Sequence, residues 1–242
     1  MMVSKPDTAE LSAPRSFYLW LSLWMWAIAI TGFGPGAVSG LLGGTFVDSL
    51  AVHVHAVVYI AWLALFSYQA SLPARGRVDL HRKLGRCMAA YAVVMIAVGL
   101  HVTFSRFADR VAAGDVEMAR TMMLPPFSDM FVFPVLFWLA YRFRHRPETH
   151  KRLMVVATTF LLVAAVGRMS FLGAPPAVLI YDAVWLSPIW IAMLRDAIVE
   201  RRLHPAYGFS LLLLSFMPLR MLIVDTEGWR GFTDWLAQAV VG

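Results

Sequence analysis

Seven ionisable residues stand among apolar neighbours, and their types are those that bind metals, hold anions or move protons. His53 and His55 lie at the start of one apolar stretch, and His101 lies near the end of the next. Asp129 and Asp182 lie early in two later stretches, and Arg168 and Arg220 lie late in two more. Imidazole is a common ligand of metals and haem, so His53, His55 and His101 are the candidate metal ligands. His55 and His101, with His53 or Asp129, would form an N/O site for zinc, iron or copper. His55 and His101 on neighbouring helices would alternatively form the axial pair of one haem. His53 and His55 are two positions apart, which on a regular helix turns them about 200° from each other. Both reach one ion only where that segment is extended or just entering the helix. Asp129 and Asp182 are the candidate catalytic bases, and Arg168 and Arg220 the candidate binders of an anionic substrate group. The same four charges can also close among themselves, Asp182 on Arg168 and Asp129 on Arg220, as ion pairs without a ligand.

The elements that hold these residues are membrane spans. Of the 242 residues, 60% are apolar and 15% charged, and the mean hydropathy is +0.66. A soluble domain has roughly 45–50% apolar and about 25% charged residues. An ordinary cytosolic enzyme, a disordered chain and a disulfide-stapled secreted domain are excluded, and the single Cys87 supports neither a disulfide nor a Cys-rich metal site. A spanning helix needs about 20 mostly apolar residues. Seven stretches come close, over 17–33, 51–74, 84–104, 122–141, 153–172, 177–194 and 207–224. Lipid offers no partner to open backbone groups, so all are expected as helices. The predicted fold is an all-α, polytopic seven-helix membrane bundle, read as one domain over 1–242, with tails at 1–16 and 225–242.

Charge orients the bundle. Fifteen of the 21 basic residues fall at the N-terminus and between spans two and three, four and five, and six and seven. By the positive-inside rule the N-terminus is cytoplasmic and the C-terminus outside. That placement also accounts for the net charge of +6, so nucleic acid is not an expected partner and the lipid bilayer is. LHRKLG (80–85), THKRLM (149–154) and RRLHPA (201–206) recur at the cytoplasmic turns, so spans two to seven read as three helical hairpins and span one as an added helix. The inner histidines His81, His145, His150 and His204, among basic residues, read as interfacial anchors, with lipid-headgroup binding as the functional alternative. His81 and His101 are 20 residues apart, about 30 Å of helix and a full hydrocarbon thickness, which does not suit two haems stacked within the slab. The Gly-rich stretch 34–44 lacks a preceding strand and the phosphate-loop Lys, and reads as an outer connection. Pro134, Pro188 and Pro218 are expected to kink their spans. The sequence contains no GxSxG, HExxH or CxxC pattern.

With HVHA (53–56), GRVDLHRKLG (76–85), HKRLMVVAT (150–158), YD (181–182) and LHPA (203–206) in view, the chain resembles an uncharacterised family of bacterial multi-pass inner-membrane proteins. The resemblance covers span two to span seven and implies membrane embedding, with no catalytic roles attached. More distantly, paired histidines on adjacent helices are similar to the cytochrome b561-type bundles. The seven-span, N-inside topology is similar to membrane metallohydrolases of the adiponectin-receptor and ceramidase kind, whose His pair on the last span has no counterpart here.

Three functions follow as expectations. The first is a redox or electron-transfer protein with haem or a divalent transition metal near the outer, periplasmic face of the inner membrane. The second is a metal-dependent hydrolase of a lipid or amphiphile. The third is a non-enzymatic carrier or assembly subunit.

Overall fold

The computed structural model describes residues 16–44, 49–169, 177–215 and 217–241, and every element among them is helical. In chain order these are α1 (Phe17–Leu42), α2 (Leu50–Ala74), α3 (Val78–Ala112), α4 (Val116–Arg142), α5 (Pro147–Leu161), α6 (Val163–Val166), α7 (Ala177–Val199), α8 (Pro205–Ser215), a 3-10 helix (Pro218–Ile223) and α9 (Glu227–Val241). Six helical segments are long and apolar enough to cross a bilayer: α1, α2, α3, α4, α5 continued by α6, and α8 continued by the 3-10 helix. The chain is a multi-pass membrane protein. α7 is not among those six; it carries Asp182 near its start and Arg195 and Asp196 near its end.

Consecutive helices pack on each other through turns of three or four residues, at 75–77, 113–115 and 143–146. α2 and α3 run antiparallel: the Tyr91 hydroxyl donates to the Val58 carbonyl, the Tyr59 hydroxyl to the Met95 carbonyl, and the Gln69 side-chain amide to the His81 carbonyl. The turns at 75–77, 143–146 and 200–204 carry Arg75, Arg77, Arg144, Arg146, Arg201 and Arg202 and mark a basic end. The turn at 113–115 lies toward α9, which marks the other end.

The main core is built by Met25 of α1, Trp62 of α2, Met95 of α3, Phe133 of α4, Val156 of α5 and Ile189 of α7, each no more than 1% exposed. Gly32 lets α1 approach α6 closely, because a Cβ there would collide with the Ala165 backbone. Large apolar side chains such as Trp20, Trp138 and Leu212 face outward, as lipid-facing positions do.

Two segments depart from the sequence reading. α1 runs through Gly34 and Pro35 to Leu42, where an outer loop is expected. Continuing the helix keeps backbone groups satisfied where lipid cannot. The stretch 225–242, expected as a tail, contains α9, whose amphipathic face packs on α3 and α4. α3 has 35 residues, about 52 Å of helix against about 30 Å of hydrocarbon. Its surplus end, through Phe107 and Val111, meets Met123 of α4 and Trp229 of α9 in a second, smaller core. Arg120 fastens it: its guanidinium donates to the Thr233 hydroxyl at 3.0 Å and the Asp234 carboxylate at 2.6 Å, and its carbonyl accepts from the Trp229 indole.

Candidate functional site

Two of the spans become irregular toward their C-terminal ends, and an arginine lies near the end of each. α5 ends at Leu161, passes a turn at Leu162, resumes as the short α6 and leaves the helix at Gly167, so that Arg168 follows directly. α8 is described to Ser215, and a 3-10 helix over Pro218–Ile223 carries Arg220. Proline has no N–H to donate to the preceding turn, so a new start there is physically expected.

Of the seven sequence candidates, Asp129 and Arg220 are joined directly, and His55 lies within electrostatic reach of Arg168. Arg220 is ion-paired with Asp129 of α4, and also donates to the Ser128 hydroxyl at 2.9 Å and the Pro125 carbonyl at 3.3 Å. The pairing of Asp129 with Arg220 expected from the sequence is therefore present. The alternative pair, Asp182 with Arg168, is not: Arg168 donates to the Ala164 carbonyl at 2.6 Å, and its guanidinium carbon stands 4.8 Å from the Phe33 ring centroid. Neither Arg168 nor Asp182 has an ion-pair partner among the described residues. Tyr181, beside Asp182 on α7, donates to the Val163 carbonyl and lies within electrostatic reach of Asp129, Asp182 and Arg220. His55 lies within reach of Arg168. Its ring stacks on Tyr59 at 4.1 Å, and its buried Nδ1 has no hydrogen-bond partner among the described residues.

The other two histidines stand elsewhere. α2 is regular helix from Leu50, so His53 and His55 point about 200° apart. The His53 ring pairs through Nδ1 with the Ser49 carbonyl at 3.0 Å. His101 is exposed on the surface of α3. Among the described residues no group of three or more His, Cys, Asp or Glu is placed to hold a metal ion.

A second charged cluster, at the basic end, is one the sequence reading assigned to topology. Arg152 of α5 and Asp196 of α7 are both fully buried, and Nε of Arg152 donates to Oδ2 of Asp196 at 2.5 Å. The same guanidinium reaches Glu148 at 2.7 Å and Glu200 at 2.9 Å. Arg195 closes the ring, donating to Asp196 at 2.8 Å and Glu200 at 2.6 Å. Tyr18 of α1 and Tyr207 of α8 come within electrostatic reach of this network. The local signal is Glu148, i, i+4 from Arg152 on α5; Asp196 and Glu200 are like charges at that spacing, held together by the two arginines. Nearby, the His81 and His150 rings pair through Nδ1 with the Gln69 and Ala140 carbonyls, at 3.2 and 2.8 Å. Each histidine thereby ties the start of its helix to the end of the helix before it.

No family model, curated protein or solved structure matches the chain.

Proposed function

We propose that the chain is a seven-span protein of a bacterial inner membrane that binds the anionic group of a small amphiphilic ligand at its α9 end, as a carrier or binding subunit. α7, sixth in chain order, completes the seven: its 23 residues correspond to about 34 Å of helix, enough for the hydrocarbon. The arginine-rich turns put the basic end and the N-terminus in the cytoplasm and the α9 end outside, with α2–α3, α4–α5 and α7–α8 as the three hairpins.

One observation carries the ligand reading. Arg168 sits just past the end of α6 with a backbone carbonyl and an aromatic ring as partners and no carboxylate among the described residues, while the unsatisfied imidazole of His55 lies within its electrostatic reach. A guanidinium presents a donor fork matched to carboxylate or phosphate. A neutral imidazole offers one further donor, and Phe33 supplies an apolar wall. Asp129 holds Arg220 as a fixed pair beside the site, and Asp182 leaves room for a cationic or hydroxyl group on the same ligand. The electron-transfer reading rests on His55 with His101, which is exposed on α3, and the metallohydrolase reading adds His53, which is turned away from His55 on regular helix; both draw less support.

The test is a titration of the full chain in nanodiscs with hexyl phosphate, hexanoate and hexylammonium. The two anions bind and the cation does not, and Arg168→Gln weakens anion binding at least tenfold. Equal binding of anion and cation, or an unchanged affinity in Arg168→Gln, overturns the reading.

A further inference from the structure

Helix α4 has two faces of different kind. Phe133, Leu136 and Ala140 are fully buried, whereas Phe131, Val135 and Trp138 are 60%, 45% and 60% exposed. The exposed three are spaced i, i+4, i+7, which aligns them as one stripe along the outside of the helix. The stripe leads to the basic end. From Phe131 to Arg142 is about 16 Å of helix, close to half of the roughly 30 Å hydrocarbon thickness, that is, one leaflet.

Where the stripe ends, a groove of about 340 Å³ opens, lined by Trp138, Leu139, Arg142, Phe143, His145 and Arg146. One wall is apolar and continuous with the stripe; the other is cationic. Arg142, His145 and Arg146 are exposed, and none has a carboxylate partner among the described residues. Arg146 lies against the Phe143 ring, 5.7 Å from its centroid, so its guanidinium is held at the junction of the two walls. The neighbouring turn offers a contrast. Its groove of about 230 Å³ is lined by Gly76, Arg77, Asp79, Leu80 and Lys83, and so contains its own counter-charge and little apolar wall.

We propose that the α4–α5 groove is a binding site for an anionic phospholipid. The phosphate sits between Arg142 and Arg146, His145 donates to it, and one acyl chain lies along Trp138, Val135 and Phe131. Unpaired cations at a membrane boundary attract anionic headgroups, and the apolar stripe distinguishes a lipid from a free phosphate, which would use the basic wall alone. The site lies at the opposite end of the bundle from Arg168 and does not depend on the ligand reading there.

The experiment is native mass spectrometry of the full chain released from mixed micelles of phosphatidylglycerol and phosphatidylcholine. The wild type retains phosphatidylglycerol in preference to phosphatidylcholine. The double variant Arg142→Gln/Arg146→Gln loses at least fivefold of that retention, and Arg77→Gln/Lys83→Gln keeps it. Trp138→Ala, which leaves the charges in place, lowers retention by a smaller factor. Millimolar inorganic phosphate leaves the bound lipid in place. Equal losses in the two double variants would mean nonspecific attraction to positive charge and overturn the site; displacement by inorganic phosphate, or full retention in Trp138→Ala, would overturn the lipid in favour of a free anion. The altered side chains are exposed, so unchanged thermal unfolding of each variant verifies that the fold is intact. Hexyl phosphate binding at Arg168 is unaffected by any of these changes, so the two readings fail separately.

Discussion

The two charged clusters of this bundle use the same residue types to opposite ends. At the basic end, Arg152 and Asp196 have no exposed surface, and the carboxylates of Glu148, Asp196 and Glu200 are each engaged by an arginine. At the α9 end, Asp129 and Arg220 are paired and mostly buried, but Arg168 and Asp182 lack ion-pair partners among the described residues and the His55 ring keeps a nitrogen unsatisfied. The basic-end network pairs each of its carboxylates and holds α5 to α7, with only neutral hydroxyls (Tyr18, Tyr207) and one Arg195 N–H left without a hydrogen-bond partner among the described residues. The α9-end cluster leaves whole charged groups, Arg168 and Asp182, without an ion-pair partner among the described residues. Buried charge by itself is therefore a poor guide to function in a membrane protein; the useful quantity is charge left over after internal pairing.

That contrast breaks in a graded way. The largest effect is expected at Arg152→Met, which strands Asp196 in the interior with Arg195 as its remaining ion-pair partner. Removing one partner of a buried pair costs about 3–5 kcal/mol, read as a large fall in the thermal unfolding midpoint in detergent. The double variant Arg152→Met/Asp196→Leu recovers part of that loss; strictly additive losses would mean the pair is not the unit. Asp129→Asn comes next. It leaves the Arg220 guanidinium with the Ser128 hydroxyl and the Pro125 carbonyl, at an expected cost of about 1–3 kcal/mol in the same unfolding assay. Arg168→Gln changes stability by no more than about 0.5 kcal/mol, as for a surface site without a paired partner, while anion binding falls at least tenfold. His101→Ala, on the exposed side of α3, moves neither stability nor binding measurably.

Much of the frame was legible in the sequence because lipid permits few alternatives: an apolar stretch of about 20 residues becomes a helix, and short basic turns join neighbours. The Asp129–Arg220 pair was legible as well, from two charges expected at one depth. Arg152 was not. The positive-inside rule counts a basic residue by the side of the membrane it lies on, and is silent on whether it turns into the bundle. The i, i+4 partner Glu148 was the one local sign that it is paired; Asp196 and Glu200 lie 44 and 48 positions away in sequence. Residues 34–42 misled for a related reason, since Gly34, Pro35 and Gly36 carry turn propensities measured against water, whereas a helix beside lipid has no hydrated competitor. The three-histidine grouping depended on His53 lying in extended chain, and the helix had already begun at Leu50. α9 was hidden by its length: Trp229, Phe232, Thr233 and Leu236 form an apolar face that becomes evident only against the surplus end of α3.

The claim that the α9-end cluster is open for a ligand is tested most directly by a thermal shift of the purified full chain with hexyl phosphate. A ligand that binds the folded state raises the unfolding midpoint, by an amount equivalent to about 2.7 kcal/mol at a hundredfold excess over its dissociation constant. The wild type and Arg142→Gln/Arg146→Gln are predicted to show that rise, and Arg168→Gln, of equal stability without ligand, is predicted to show none. An equal rise in Arg168→Gln, or no rise in the wild type, would contradict the account.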